Sequence, residues 1–91
     1  MKHVEYLVNA IPIDTNGQPI QADCIDISFV NYGPTTLVVN NSIIIPPPAT
    51  AGQFNMITIG GNLGEIDRTK YVCRFTGAGN NNAVVIRRQY K

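Results

Sequence analysis

The chain has no tryptophan, one histidine, two cysteines and three leucines among its 91 residues. Each shortage closes off a class of explanation. The sole histidine, His3, has no cysteine or acid at ligand spacing, so no metal centre is expected. A serine or cysteine nucleophile would need a positioned base, and a lone histidine two residues from the first is a poor one. The acids Asp23 and Asp26, and Glu65 and Asp67, stand close in sequence and read as solvated faces and turn acceptors rather than a glycosidase pair. Gly60-Gly61 and Gly77-Ala78-Gly79 lack the lysine and following helix of a phosphate loop. No enzymatic activity and no cofactor are therefore expected.

Charge is scarce too, at 14% of residues against a usual quarter, while 44% are hydrophobic. A surface so thinly charged is expected to be partly covered by other protein. No apolar run approaches the roughly 18 residues of a membrane span. The opening "MKHVEYLVNAIPI" has no basic segment ahead of a long apolar run, so no signal peptide is expected. Cys24 and Cys73 then read as reduced, buried thiols. The charges that do occur are uneven. Residues 1–67 hold all six acids and one base, Lys2, and residues 68–91 hold six bases and no acid. Either the two sets interleave in the fold, or an acidic face of one subunit meets a basic face of the next.

What the chain has in quantity points to strands. Isoleucine and valine together number 20, and β-branched side chains suit a pleated surface. Ten asparagines and eight glycines supply turns. Strands are expected at residues 4–13, 24–32, 35–39, 42–45, 53–59, 70–75 and 83–90. "CIDISFVNY" alternates, with Ile25, Ile27 and Phe29 facing inward and Asp26 and Ser28 outward. Asn40-Asn41 is expected to form a primed hairpin turn. "DTNGQPIQAD" reads as a turn or loop and "PPPATAG" as a stiff surface crossing, either from one sheet to the other or as an exposed docking rail. No segment of about ten residues carries a 3.6-residue apolar period, so no substantial helix is expected. The expected fold is all-β: one small antiparallel β-sandwich of about seven strands, immunoglobulin-like or jelly-roll-like, filling residues 1–91 as a single domain.

The spacing Asp67-x-Thr69-x-Tyr71-x-Cys73 resembles the tyrosine corner of immunoglobulin domains. The physical expectation is a buried Tyr71 ring whose hydroxyl bonds to turn backbone, with Asp67 accepting an amide two residues on.

The grammar of residues 25–90 carries a second resemblance. A strand ending in "NYG", a strand closing in "VNN", "IIIPPP", a stretch ending in "GG", and then "EIDRTKYVCRF" resemble small virion proteins of tailed bacteriophages, crAss-like gut phages in particular. The resemblance implies a β-sandwich that attaches to capsid, tail or fibre protein without catalysis. It would be found in the virion after assembly in the host cytoplasm. The implied role is a capsid decoration protein or a fibre anchor, working as a homo-oligomer, with a trimer the natural symmetry. Three contact regions are expected: Pro46, Pro47 and Pro48; Gly79, Asn80, Asn81 and Asn82; and the basic pair Arg87 and Arg88. One alternative is a carbohydrate-binding module using Tyr6, Tyr32, Tyr71 and Tyr90. Another is nucleic-acid binding through Arg74, Arg87, Arg88 and Lys91, with Tyr71, Phe75 and Tyr90 stacking on bases. The overall charge makes nucleic acid the least favoured partner.

Overall fold

A computed structural model describes residues 6–50, 52–62 and 64–90, with Tyr6 described by its backbone alone. Eight strands follow one another without a helix among the described residues: β1 Tyr6–Ile13, β2 Gln18–Gln21, β3 Asp26–Asn31, β4 Thr36–Val39, β5 Ile43–Ile45, β6 Asn55–Gly60, β7 Lys70–Thr76 and β8 Ala83–Tyr90. They form two four-stranded antiparallel sheets, which we call A, in the order β1-β8-β3-β6, and B, in the order β2-β7-β4-β5.

The pairing has a simple logic. β1 pairs with β8, β2 with β7, β3 with β6 and β4 with β5. The chain is thus one long hairpin folded at residues 40–42, and β3–β8 and β4–β7 pairs roll it into two layers. This is the jelly roll, one of the two sandwich types expected from the sequence.

Seven of the strands lie where the apolar pattern puts them. The eighth, β2, falls in the stretch read as a loop on account of Asn16, Gly17 and Pro19. Pro19 is tolerated because β2 is an edge strand of sheet B, where a missing N–H breaks no ladder on the open side. Asn40 and Asn41 both take the left-handed conformation, with φ of 52° and 58°, and the Ser42 amide donates to the Val39 carbonyl at 3.1 Å. This is the primed turn expected there. Residues 46–54 carry the chain from β5 in sheet B to β6 in sheet A, so the proline segment is a sheet-to-sheet crossing.

The core lies between the sheets. Sheet A contributes Ile13, Ile27, Phe29, Ala83 and Val85, and sheet B contributes Ile20, Leu37, Val39, Ile45, Tyr71, Cys73 and Phe75. Phe29 and Tyr71 meet edge to face across the interlayer, with ring centroids 5.3 Å apart. Both cysteines are free thiols buried in this core. Burial pushes each up to about 11, and for Cys24 the nearby Asp67 carboxylate adds to the rise. Thiols held protonated in this way are weak nucleophiles.

Candidate functional site

Two of the three expected contact regions are brought to the same end of the sandwich, and asparagines hold them there. Asn31, fully buried at the end of β3, donates from Nδ2 to the carbonyls of Thr35 at 2.8 Å and Ile45 at 3.0 Å, and its Oδ1 accepts the Gly33 amide at 3.2 Å. Asn55, beside it on β6, donates to the carbonyls of Pro46 at 2.9 Å and Pro47 at 3.2 Å. These bonds secure the polyproline crossing, whose own prolines have no N–H to offer.

The loop Gly79–Asn82 closes over the same end. The Asn82 carbonyl accepts the amides of Tyr32 at 2.9 Å and Gly33 at 3.0 Å. The Thr35 hydroxyl donates to Asn81 Oδ1 at 2.9 Å, and Asn81 Nδ2 donates to the Asp14 carbonyl at 3.1 Å. The loop is therefore tied down, not the freely moving tip that three consecutive asparagines suggest. Two glycines permit the approach. A Cβ on Gly33 would lie 2.9 Å from the Asn82 nitrogen, and one on Gly79 would lie 2.7 Å from Pro34 Cγ. Asn80 remains exposed.

Between the crossing and the Tyr32–Pro34 turn lies a cavity of about 320 Å³ lined by Tyr32, Gly33, Pro34, Pro48 and Gly52. The Tyr32 ring is 42% exposed and meets the Phe54 ring at 5.6 Å between centroids. Phe54 was not among the residues singled out from the sequence. Its position immediately before a strand, one step past the Asn31–Asn55 register pair, sets it beside Tyr32, and only the pairing of β3 with β6 reveals that.

The third region lies elsewhere. Arg87 and Arg88 are six residues along β8 from the loop end, about 20 Å away. Being consecutive, they also point to opposite faces of sheet A. Arg87 turns inward and donates from Nη1 to the Gln21 carbonyl at 2.6 Å. Arg88 turns outward and pairs with Asp26, its Nε 2.9 Å and 3.0 Å from the two carboxylate oxygens. A single basic patch is therefore not formed. Arg74 lies on sheet B, while Tyr71 and Phe75 are core residues that no base can stack on. Among the tyrosines proposed for sugar binding, Tyr71 is buried, Tyr90 accepts the Gly64 amide at 2.7 Å, and the Tyr6 side chain lies outside the described residues. Tyr32 borders the cavity.

The structural corner is real, with one change. Asp67 Oδ1 accepts the Thr69 amide at 2.8 Å as expected. The Tyr71 hydroxyl donates to Asp67 Oδ2 at 2.6 Å, where turn backbone was the expected partner. The backbone here is already engaged: Cys24 and Asp67 exchange amide–carbonyl bonds of 3.1 Å and 2.8 Å, and the Thr69 carbonyl accepts the Ala22 amide at 3.0 Å. A carboxylate is the acceptor left. Burial pushes the Asp67 carboxyl up, but the bonds from Tyr71 and Thr69 outweigh it and hold the group below its ordinary value. Burial and the Asp67 bond push the Tyr71 phenol up to about 12. Among the described residues no group of three or more histidine, cysteine, aspartate or glutamate side chains is placed to hold a metal.

Comparison with protein-family models, with curated proteins and with solved structures returns no match.

Proposed function

We propose that this chain is a structural protein of a tailed-phage virion, an auxiliary or decoration protein of the capsid or an anchor for head or tail fibres, which acts by protein–protein assembly and not by catalysis. The observation that carries the reading is the convergence of the Pro46–Pro48 crossing and the Gly79–Asn82 loop on one end of the sandwich. That end offers a stiff backbone ridge, the exposed Asn80 and the open cavity beside Tyr32. Both loops are already ordered by Asn31, Asn55, Asn81 and Asn82, so docking them costs little conformational entropy. The resemblance of the strand and turn grammar to small phage virion proteins supports the same reading. So does the jelly roll by analogy of fold, since viral capsid domains use it, although a fold hosts many functions.

The test is incorporation. Particles purified from a culture producing the chain should contain it at a fixed ratio to the major capsid or fibre protein, by quantitative mass spectrometry. Asn80→Asp together with Pro48→Ser should reduce that ratio at least tenfold without changing the thermal midpoint by more than a few degrees. Particles that lack the chain, or that carry the variant at the same ratio, defeat the reading.

One observation favours a second reading. The exposed Tyr32 and Phe54 rings beside the cavity make an apolar platform of the kind that stacks on sugar rings, and lectin domains also use the jelly roll. Saturable binding on a glycan array, abolished by Tyr32→Ala, would put this ahead of assembly.

A further inference from the structure

Register across sheet A sorts its outward residues into rows. The first is Pro12, Val84, Val30 and Met56. The second is Ala10, Ile86, Ser28 and Thr58. The third is Val8, Arg88, Asp26 and Gly60. Tyr32 and Phe54 stand one row beyond the first, at the cavity end. An antiparallel sheet covered on one side normally alternates apolar-in with polar-out. Sheet A does not. Its outward face is apolar over most of its area, Val30 is only 2% exposed although it points away from the core, and Val8, Met56 and Phe54 are 64%, 51% and 53% exposed.

The polar groups on this face are already satisfied within it. The Ser28 and Thr58 hydroxyls share a 2.8 Å hydrogen bond, and Asp26 is paired with Arg88. Covering these groups strands none of their bonded donors and acceptors, which is the usual cost of burying polar groups. The face is also nearly neutral. Four strands about 4.8 Å apart and four rows about 7 Å apart span roughly 20 by 27 Å. With side-chain relief this approaches the surface, on the order of 800 Å² per partner, that a stable dimer buries.

We infer that this face is covered by the same face of a second copy, in a twofold dimer. The argument for that occupant is self-complementarity. A twofold axis lying in the face and crossing the strands between the first and second rows keeps each strand over its own counterpart and reverses the rows. Met56 then lies over Thr58 and Phe54 over Gly60, so large side chains meet small ones, while Val84 lies over Ile86 in the middle of the contact. The same reversal sets the Asp26–Arg88 end of each copy against the Tyr32–Phe54 end of the other. Like charges do not meet, and the Arg88 guanidinium gains an aromatic neighbour. An isologous contact of this kind closes at two, not at the three that a generic phage-assembly symmetry suggests.

The contact is a property of the isolated chain, and it extends the assembly reading by supplying the unit that assembles. Sedimentation equilibrium of the full chain from 5 to 200 µM should give twice the chain mass. Val8→Lys and Met56→Lys, separately and together, should raise the dissociation constant at least 100-fold with an unchanged circular-dichroism spectrum. Val8 lies on an edge strand at high exposure, so the single Val8→Lys variant keeps the test valid should the double variant fail to fold. Ile44→Lys, equally exposed on sheet B, should change the constant less than threefold. A monomer at 200 µM, a trimer, or a dimer broken by Ile44→Lys and not by Val8→Lys overturns the inference. A monomer that still enters particles overturns the dimer and leaves the virion role standing. A dimer absent from particles does the reverse.

Discussion

The two outer faces of this sandwich obey different rules. On sheet B, β7 alternates strictly between buried and exposed positions, and its outward residues Lys70, Val72, Arg74 and Thr76 mix charge with small apolar groups. Lys70 stands opposite Gln21 and Arg74 opposite Val38, so both cations face water without an acid in register. On sheet A the outward residues of β1 are Val8, Ala10 and Pro12, those of β6 are Met56, Thr58 and Gly60, and the one charged pair among the described residues neutralises itself. The two sheets share one core and one solvent, yet only one of them is written for water. The difference teaches that a sheet face unlike an ordinary solvated one can be recognised by a break in alternation.

Matched substitutions on the two faces should expose this contrast. The largest effect is expected from Val30→Lys, which forces a charge into a site that is closed although it points outward. It should cost about 3 kcal/mol or more in urea unfolding. Val38→Lys, its counterpart on sheet B, should cost less than about 1 kcal/mol. Equal costs would erase the distinction between the faces.

Next in size is Tyr71→Phe at the corner, expected to cost about 2 kcal/mol through loss of a hydrogen bond to a carboxylate. Its pH dependence has a defined sign. The Asp67 carboxyl is held low in the folded state, so its contribution is present above the unfolded value near pH 4 and fades as pH falls through the lower folded value. The Tyr71 phenol is held high, so its contribution is present below about pH 10 and is lost as pH rises through about 12. Tyr71→Phe should flatten both limbs of the stability profile, and an unchanged acid limb would remove Asp67 as the partner.

Arg88→Gln strips the partner from a largely enclosed Asp26 carboxylate and should cost about 1 kcal/mol. Arg74→Gln on the open face should make no measurable difference. A small gain is expected from Asn41→Gly, in the left-handed turn that joins two strands of sheet B, which should stabilise by about 0.5 kcal/mol.

Much of this architecture was legible from local pattern. The alternation of residues 70–76, the paired asparagines at 40 and 41 and the proline crossing each announce their conformation within a few neighbours. β2 was hidden because Pro19 and Asn16-Gly17 are turn signals, and only its place at a sheet edge makes them compatible with a strand. Arg87 and Arg88 read as one basic end, although the period of two in a strand already sends them to opposite sides. The parts of the candidate end, Pro46–Pro48 and Gly79–Asn82, stand out in the sequence by composition. Its assembly was out of reach, because Tyr32 meets Asn82 and Asn55 meets Pro46 through pairings of distant segments that no window of sequence contains. The apolar face was present in "LVNAIPI", where outward positions carry no polar residue, but its meaning depends on knowing which side the core occupies.

The first residue of β1 and the last of β8 are register partners, Tyr6 with Tyr90, on neighbouring strands of one sheet. Force applied to separate those two points would load the ladder rung by rung, as a zipper opens, whereas force along the strands would strain all its hydrogen bonds at once. A tether attached at that doorway would find the fold mechanically soft in one direction and stiff in the other, and a host polypeptide interrupted there could carry the whole sandwich as an insert with its own two ends barely parted.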